Sequence, residues 1–296
     1  MEGRRHRPER GPARQLILRA RSFVFFTVLA VVAGVGVAVW RGTGPLPDPP
    51  GCTSTAAGRT VTLEPDQGRN AALIAAIGVR RGLKARAVSI ALATAYQESK
   101  IRNLTGGDRD SLGIFQQRPS QGWGTRAQIR DEYYAINKFY EVLEQIDGYE
   151  TMRITEAAQR VQRSGFPEAY QAHAPDARAL ASALTGYSPG GTFSCVTKAP
   201  TGHGTAEAVS SALTKAFGTT RTERTGARQD LTVPVDAGAD GNRRGWAIAQ
   251  FLVAYAGELK ISSVAFDGHI WSSGRDSQKR WVRSDSPGTR VGVRIS

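Results

Sequence analysis

The 296 residues are 40% hydrophobic and 22% charged, which allows about two domains with a sizeable core and excludes a chain disordered throughout. The net charge of +13 divides unevenly, because residues 1–21 hold seven arginines against Glu2 and Glu9, so that about +5 belongs to a basic tail over 1–22. The rest is spread without a dense Lys/Arg run or interleaved aromatics, which excludes nucleic acid as a partner; such a surface suits an anionic wall or membrane.

The first predicted element is an uncharged run of eighteen residues, Phe23–Trp40. It reads as a single transmembrane helix, with Arg14, Arg19 and Arg21 holding the N-terminus in the cytoplasm and placing the bulk of the chain outside, at the cell membrane. A cleaved secretory signal competes with this reading, although no Ala-x-Ala site follows the run. Residues 41–65, rich in Gly, Pro, Thr and Ser, read as a linker. A helix is predicted from Asp66 as N-cap to about Gly82, with Leu73, Ile74 and Ile77 facing inward.

The next helix carries the first candidate for chemistry. Glu98 sits in its last turn, with Ile90, Ala91, Thr94 and Ala95 on the same face, so an acid ends a buried apolar stripe. Desolvation and the negative end of the helix dipole both disfavour the ionised carboxylate there, which suits a general acid. The Gly/Asp loop Leu104–Ser111 follows with Asp108 and Asp110, each either a second carboxylate that activates water or a residue that shapes the turn. Trp123 either offers its aromatic face to a ligand or packs over the preceding turn. Thr125 and Gln128 form a capping-box pattern, after which Ile129, Tyr133, Ile136, Tyr140 and Leu143 recur at helical spacing. Two shorter helices are predicted over 154–186.

Cys52 and Cys195 are the two cysteines, and outside the cell a lone pair reads as a disulfide rather than two free thiols. With four scattered histidines they make no metal set, and nothing calls for a cofactor. Residues 199–204 form a second Pro/Gly linker, and 205–296 read as a small α/β domain: helices near 205–218 and 245–259, and strands at 231–235, 261–266, 269–273 and 290–295. His269 is expected at a hairpin surface.

Gln97-Glu98-Ser99, followed after the loop by Leu112-Gly113-Ile114-Phe115-Gln116 and Pro119, resembles the Glu-Ser and Gly-Leu-Met-Gln...Pro motifs of soluble lytic transglycosylases and goose-type lysozymes. Phe115 stands where that family has methionine. The resemblance implies a lysozyme-like helical domain over 66–198 acting on peptidoglycan glycan strands, with Glu98 as acid/base and Ser99, Gln116, Trp123 and Gln162 as substrate-binding residues. The family's Ala-Tyr-Asn segment, whose tyrosine contacts the catalytic Glu, is sought at Ala157–Ser164, where there is no tyrosine and Gln162 is the available substitute. Gly245–Leu252 with Val264–Trp271 resembles a C-terminal module of secreted actinobacterial wall proteins. The expected architecture is mainly α: a transmembrane helix over 23–40, the lysozyme-like domain, then the small α/β domain. Two functions compete, a membrane-anchored lytic transglycosylase and a catalytically inactive wall-binding protein.

Overall fold

The computed structural model describes residues 25–37, 47–166, 168–225 and 230–296, and the chain divides into two compact units, 1–48 and 49–296. In the first unit, residues 25–37 form helix α1. At 1.5 Å per residue the described stretch of α1 is about 20 Å long, short of the roughly 30 Å of a bilayer's hydrocarbon core. No helix among the described residues is long and apolar enough to cross a membrane. This corrects the expected transmembrane helix over 23–40 and the single-pass membrane localisation drawn from it; residues 23, 24 and 38–40, like the basic tail 1–22, lie outside the described residues.

The second unit begins with strands where a linker is expected. β1 (Gly51–Ala56) and β2 (Arg59–Leu63) form an antiparallel hairpin through Ala57 and Gly58, both at positive φ as a two-residue turn of this hand requires. Cys52, Ser54, Ala56, Val61 and Leu63 point inward while most of the threonines between them are more exposed, a period of two that a Thr/Ser/Gly composition hides. β3 (Phe193–Val196) pairs with β1 on its other edge and brings Cys195 opposite Cys52. Those two residues form a disulfide across 143 residues of chain. Closing so long a loop contributes on the order of 4 to 5 kcal/mol in the chain-entropy view.

Helices α2 (Pro65–Arg80) and α7 (Ala174–Leu184) pack on this sheet, and α3 (Ala85–Ser99) packs against both. α3 is the central one: Ala87, Ala91, Ala93 and Ala95 are fully buried, and their small side chains let neighbouring helices approach closely. Around it lie α4 (Arg126–Arg130), α5 (Glu132–Glu144) and α6 (Ile154–Gln162), with the predicted capping box at Thr125 and Gln128 present.

After α8 (Ala206–Phe217) the chain forms a six-stranded antiparallel sheet of order β4-β5-β9-β6-β7-β8, built from β4 (Glu223–Thr225), β5 (Asp230–Pro234), β6 (Ile261–Phe266), β7 (His269–Ser272), β8 (Trp281–Arg283) and β9 (Arg290–Ile295). α9 (Ala239–Ala254) packs on this sheet and on α2, and the short α10 (Ala256–Leu259) leads into β6. Buried Gln250 of α9 accepts from the Phe193 amide at 2.9 Å and donates to the Ala183 carbonyl at 2.9 Å. Trp271 Nε1 donates to Cys195 O and Trp281 Nε1 to Phe193 O. Residues 199–204 therefore run inside one compact unit, whose earlier and later parts share buried hydrogen bonds.

With about 50% helix, 18% strand and two antiparallel sheets, the architecture corrects the expectation of a mainly α chain behind a transmembrane helix. The difference comes from short strands: β1 and β2 lie in polar sequence, and β4 and β8 have three residues each.

Candidate active site at the end of α3

α3 stops where the backbone turns left-handed. Lys100 (φ 54°) and Ile101 (φ 59°) both adopt positive φ, and their amides return to the carbonyls of Tyr96 and Ala95. Glu98 is in the last turn before this stop and is half-buried. The next residue, Ser99, is buried, and its hydroxyl donates to Ile114 O at 2.7 Å and accepts from the Arg102 amide at 3.0 Å. Ser99 thus fastens the helix end to the second motif.

That motif is a tight loop closed by reciprocal backbone bonds between Leu112 and Gln117, with Gly113 and Gln116 at positive φ. Phe115, at the methionine position, stacks on Phe139 with ring centroids 4.3 Å apart. Gln116 turns back into the loop, accepting from Ser111 Oγ and donating to Gly113 O. Gln162, at the end of α6, donates to Phe115 O at 2.7 Å. It holds the motif loop in place and does not reach for Glu98.

The partner of Glu98 comes from a residue that sequence reasoning passes over. Tyr170, in a 3₁₀ turn over Ala169–His173, donates its hydroxyl to Glu98 Oε1 at 2.8 Å. Burial, and then the negative charge of Glu98, push this phenol well above the ordinary tyrosine range, against the effect of a neighbouring Ser164 hydroxyl. Tyr170 is therefore a neutral donor at any working pH. The signal was available: Ala169-Tyr170-Gln171 differs from Ala-Tyr-Asn by one side-chain methylene, a few residues beyond the segment in which it is sought. On the flank of the same helix end, His173 stacks on Tyr96 and bonds Gln97 Oε1 at 3.1 Å. Burial holds its imidazole below the usual histidine range, with Asp176 opposing, so it is neutral at pH 7.

The two loop carboxylates are placed differently. Asp110 accepts from Arg118 Nε at 2.7 Å, from the Ser120 amide at 2.8 Å and from the Ser120 hydroxyl at 3.0 Å. The Ser120 amide first, and Arg118 next, hold it well below the usual carboxylate range. Asp108 has a side chain 94% exposed beside Arg109. Neither is brought together with Glu98 by any hydrogen bond or ion pair among the described residues. Trp123 is half-buried against the core and lines a cavity of about 430 Å³ together with Gln162 and Arg163.

Among the described residues no group of three or more His, Cys, Asp or Glu side chains could hold a metal ion. His269 bonds the Asp267 carbonyl at 2.7 Å through Nδ1 and packs against Trp246, tying down the β6–β7 turn.

Residues 201–290 match the family described as VldE, C-terminal domain. The match covers most of the chain from α8 to the start of β9 and lies entirely after the Glu98 site. No curated protein matches the chain.

Proposed function

We propose that the protein cleaves the glycosidic bond between MurNAc and GlcNAc in peptidoglycan strands as a lytic transglycosylase, with Glu98 as its one acid and base. The observation that carries this reading is the hydrogen bond from Tyr170 to Glu98 Oε1 beside the Leu112–Gln117 loop. It supports the likeness to transglycosylases and goose-type lysozymes at the tyrosine contact where the match had lapsed.

The chemistry follows from one carboxyl group with one neutral donor. Tyr170 occupies Oε1 and leaves Oε2 to carry the proton. Glu98 gives that proton to the glycosidic oxygen as the bond to the anomeric carbon breaks, and the released GlcNAc leaves with a hydroxyl. The new carboxylate, held by the Tyr170 hydroxyl, then takes the proton of the MurNAc 6-hydroxyl as its oxygen closes on the anomeric carbon. The product is a 1,6-anhydro sugar, and the acid is regenerated. A water-activating carboxylate is not needed, and Asp110 is a poor one because its oxygens are already engaged by Arg118 and Ser120.

The test is digestion of purified wall by the wild type and by Glu98→Gln, with soluble muropeptides measured by mass spectrometry and wall binding measured by sedimentation. Products from the wild type alone, with binding by both, are expected. Binding by both with no soluble product from either would establish the non-catalytic wall-binding protein instead.

A further inference from the structure

The cavity next to the motif loop has a chemical bias that cleavage by Glu98 does not use. Its walls include Trp123, Val142 and Val161, and its cations are Lys138 and Arg163; no acid lines it. Lys138 is neutralised locally, since its ammonium bonds both carboxylate oxygens of Glu141 at 2.9 and 3.1 Å. Arg163 has no ion pair among the described residues. It stands between Gln162, which holds the Phe115 carbonyl of the motif loop, and Ser164, which lies beside the Tyr170 hydroxyl. The cavity therefore adjoins the motif loop through Gln162, and it combines an aromatic residue with one guanidinium that has no ion pair among the described residues.

We propose that this cavity is a subsite for the carboxylate-bearing sugar of the strand, with Trp123 against the ring and Arg163 as the counter-charge that distinguishes a muramyl unit from neutral GlcNAc. The proposal rests on the glycan-cleaving reading of Glu98 and adds its charge selectivity. A guanidinium suits a carboxylate because its fork can donate two parallel hydrogen bonds, each stronger than one between neutral groups. The carboxylate has two sources, the lactyl group of peptide-free MurNAc and the acidic residues of a stem peptide.

The test measures dissociation constants by calorimetry at low ionic strength, with full-length Glu98→Gln so that ligand is not consumed. The probes are a GlcNAc tetramer, a peptide-free GlcNAc-MurNAc tetramer, and the same tetramer carrying stem peptides. Arg163 has φ 51°, a conformation that asparagine tolerates, so Arg163→Asn added to Glu98→Gln removes the charge without straining the backbone. The acidic tetramers are expected to bind about tenfold more tightly than the neutral one, as one charge-assisted hydrogen bond implies. Arg163→Asn should erase that preference, Arg163→Lys should keep part of it, and the affinity for the GlcNAc tetramer should stay the same, which also reports an intact fold. Preference for the peptide-free acidic tetramer names the lactyl carboxylate, whereas preference only for the peptide-bearing one names the stem. Equal affinity for neutral and acidic tetramers, or a preference that survives Arg163→Asn, would overturn the subsite and leave Glu98 cleavage standing. Failure of all three to bind would overturn the subsite together with the glycan reading.

Discussion

Glu98 and Asp110 lie twelve residues apart, one in the last turn of α3 and the other in the loop that follows, and the protein treats their carboxyl groups in opposite ways. Glu98 closes an apolar helix and, among the described residues, receives one hydrogen bond, from a buried phenol that stays neutral. Asp110 receives three, two from Ser120 and one from the Arg118 guanidinium, and is held ionised far into acid. A carboxylate so engaged is a fastening: it joins the loop to the turn Pro119–Gln121 that leads toward Trp123. A carboxyl with one partner and one open oxygen can still exchange a proton. Under the proposed reaction, what would separate Glu98 as the acid from Asp110 as a fastening is therefore the number and charge of the donors to each carboxyl, not its distance from the motif.

The largest expected effect is at the open carboxyl. Glu98→Gln keeps the shape and the bond from Tyr170 but removes the transferable proton, and release of soluble muropeptides should fall about 10² to 10⁴-fold with wall binding retained. A fall of less than threefold would place the acid elsewhere. Next comes its donor. Tyr170→Phe keeps the buried ring and deletes only the hydroxyl, and kcat should fall about tenfold with little change in KM, since one hydrogen bond to a charged group is lost as the carboxylate forms. A rise in KM alone would make Tyr170 a contact for substrate and not a support for Glu98.

The smallest expected effect on turnover is at the engaged carboxyl. Asp110→Asn should leave kcat within about twofold and change the acid stability instead. Because the folded-state value of Asp110 is depressed, the stability it confers is fully present above the usual carboxylate range near 3.9 and is lost as pH falls below it. Thermal unfolding followed from pH 6 to pH 2 should show a smaller acid-induced drop in Tm for Asp110→Asn than for the wild type. Identical acid slopes would remove Asp110 from its role as a fastening, and a large loss of turnover would erase the contrast with Glu98.

The open carboxyl was legible in the sequence because its signal is local: an apolar stripe ended by an acid, then a Gly/Gln/Pro turn at a fixed distance. Its donor was marked only by the near-match Ala169-Tyr170-Gln171, since Tyr170 stands in a 3₁₀ turn with no helical periodicity to mark which residues face inward. The role of Asp110 was hidden, because its partners lie eight and ten residues on and meet it only after the Leu112–Gln117 loop folds back. Ser99, Gln116 and Gln162 all belong to this neighbourhood, but their polar atoms bond the motif loop itself.

The same division holds for the fold. Long helices such as α2, α5 and α9 follow from their apolar spacing. β1 and β2 do not, because their more exposed threonines alternate with buried residues, Ser54 among them, in a stretch that composition alone reads as linker. The joining of the chain before and after residues 199–204 had one sequence clue, Gln250 inside an otherwise apolar helical run. A buried amide needs partners, and its partners are the backbone of Phe193 and Ala183.

The most direct test of a single working carboxyl is the chemistry of the product's end. Wall digested by the wild type, by Glu98→Gln and by an Asp108→Asn/Asp110→Asn double variant can be compared by mass spectrometry of the released muropeptides. 1,6-Anhydro ends are expected from the wild type and the double variant alike, with no release from Glu98→Gln. Reducing ends from the wild type that disappear in the double variant would contradict it, since water would then be the nucleophile and a loop carboxylate its base.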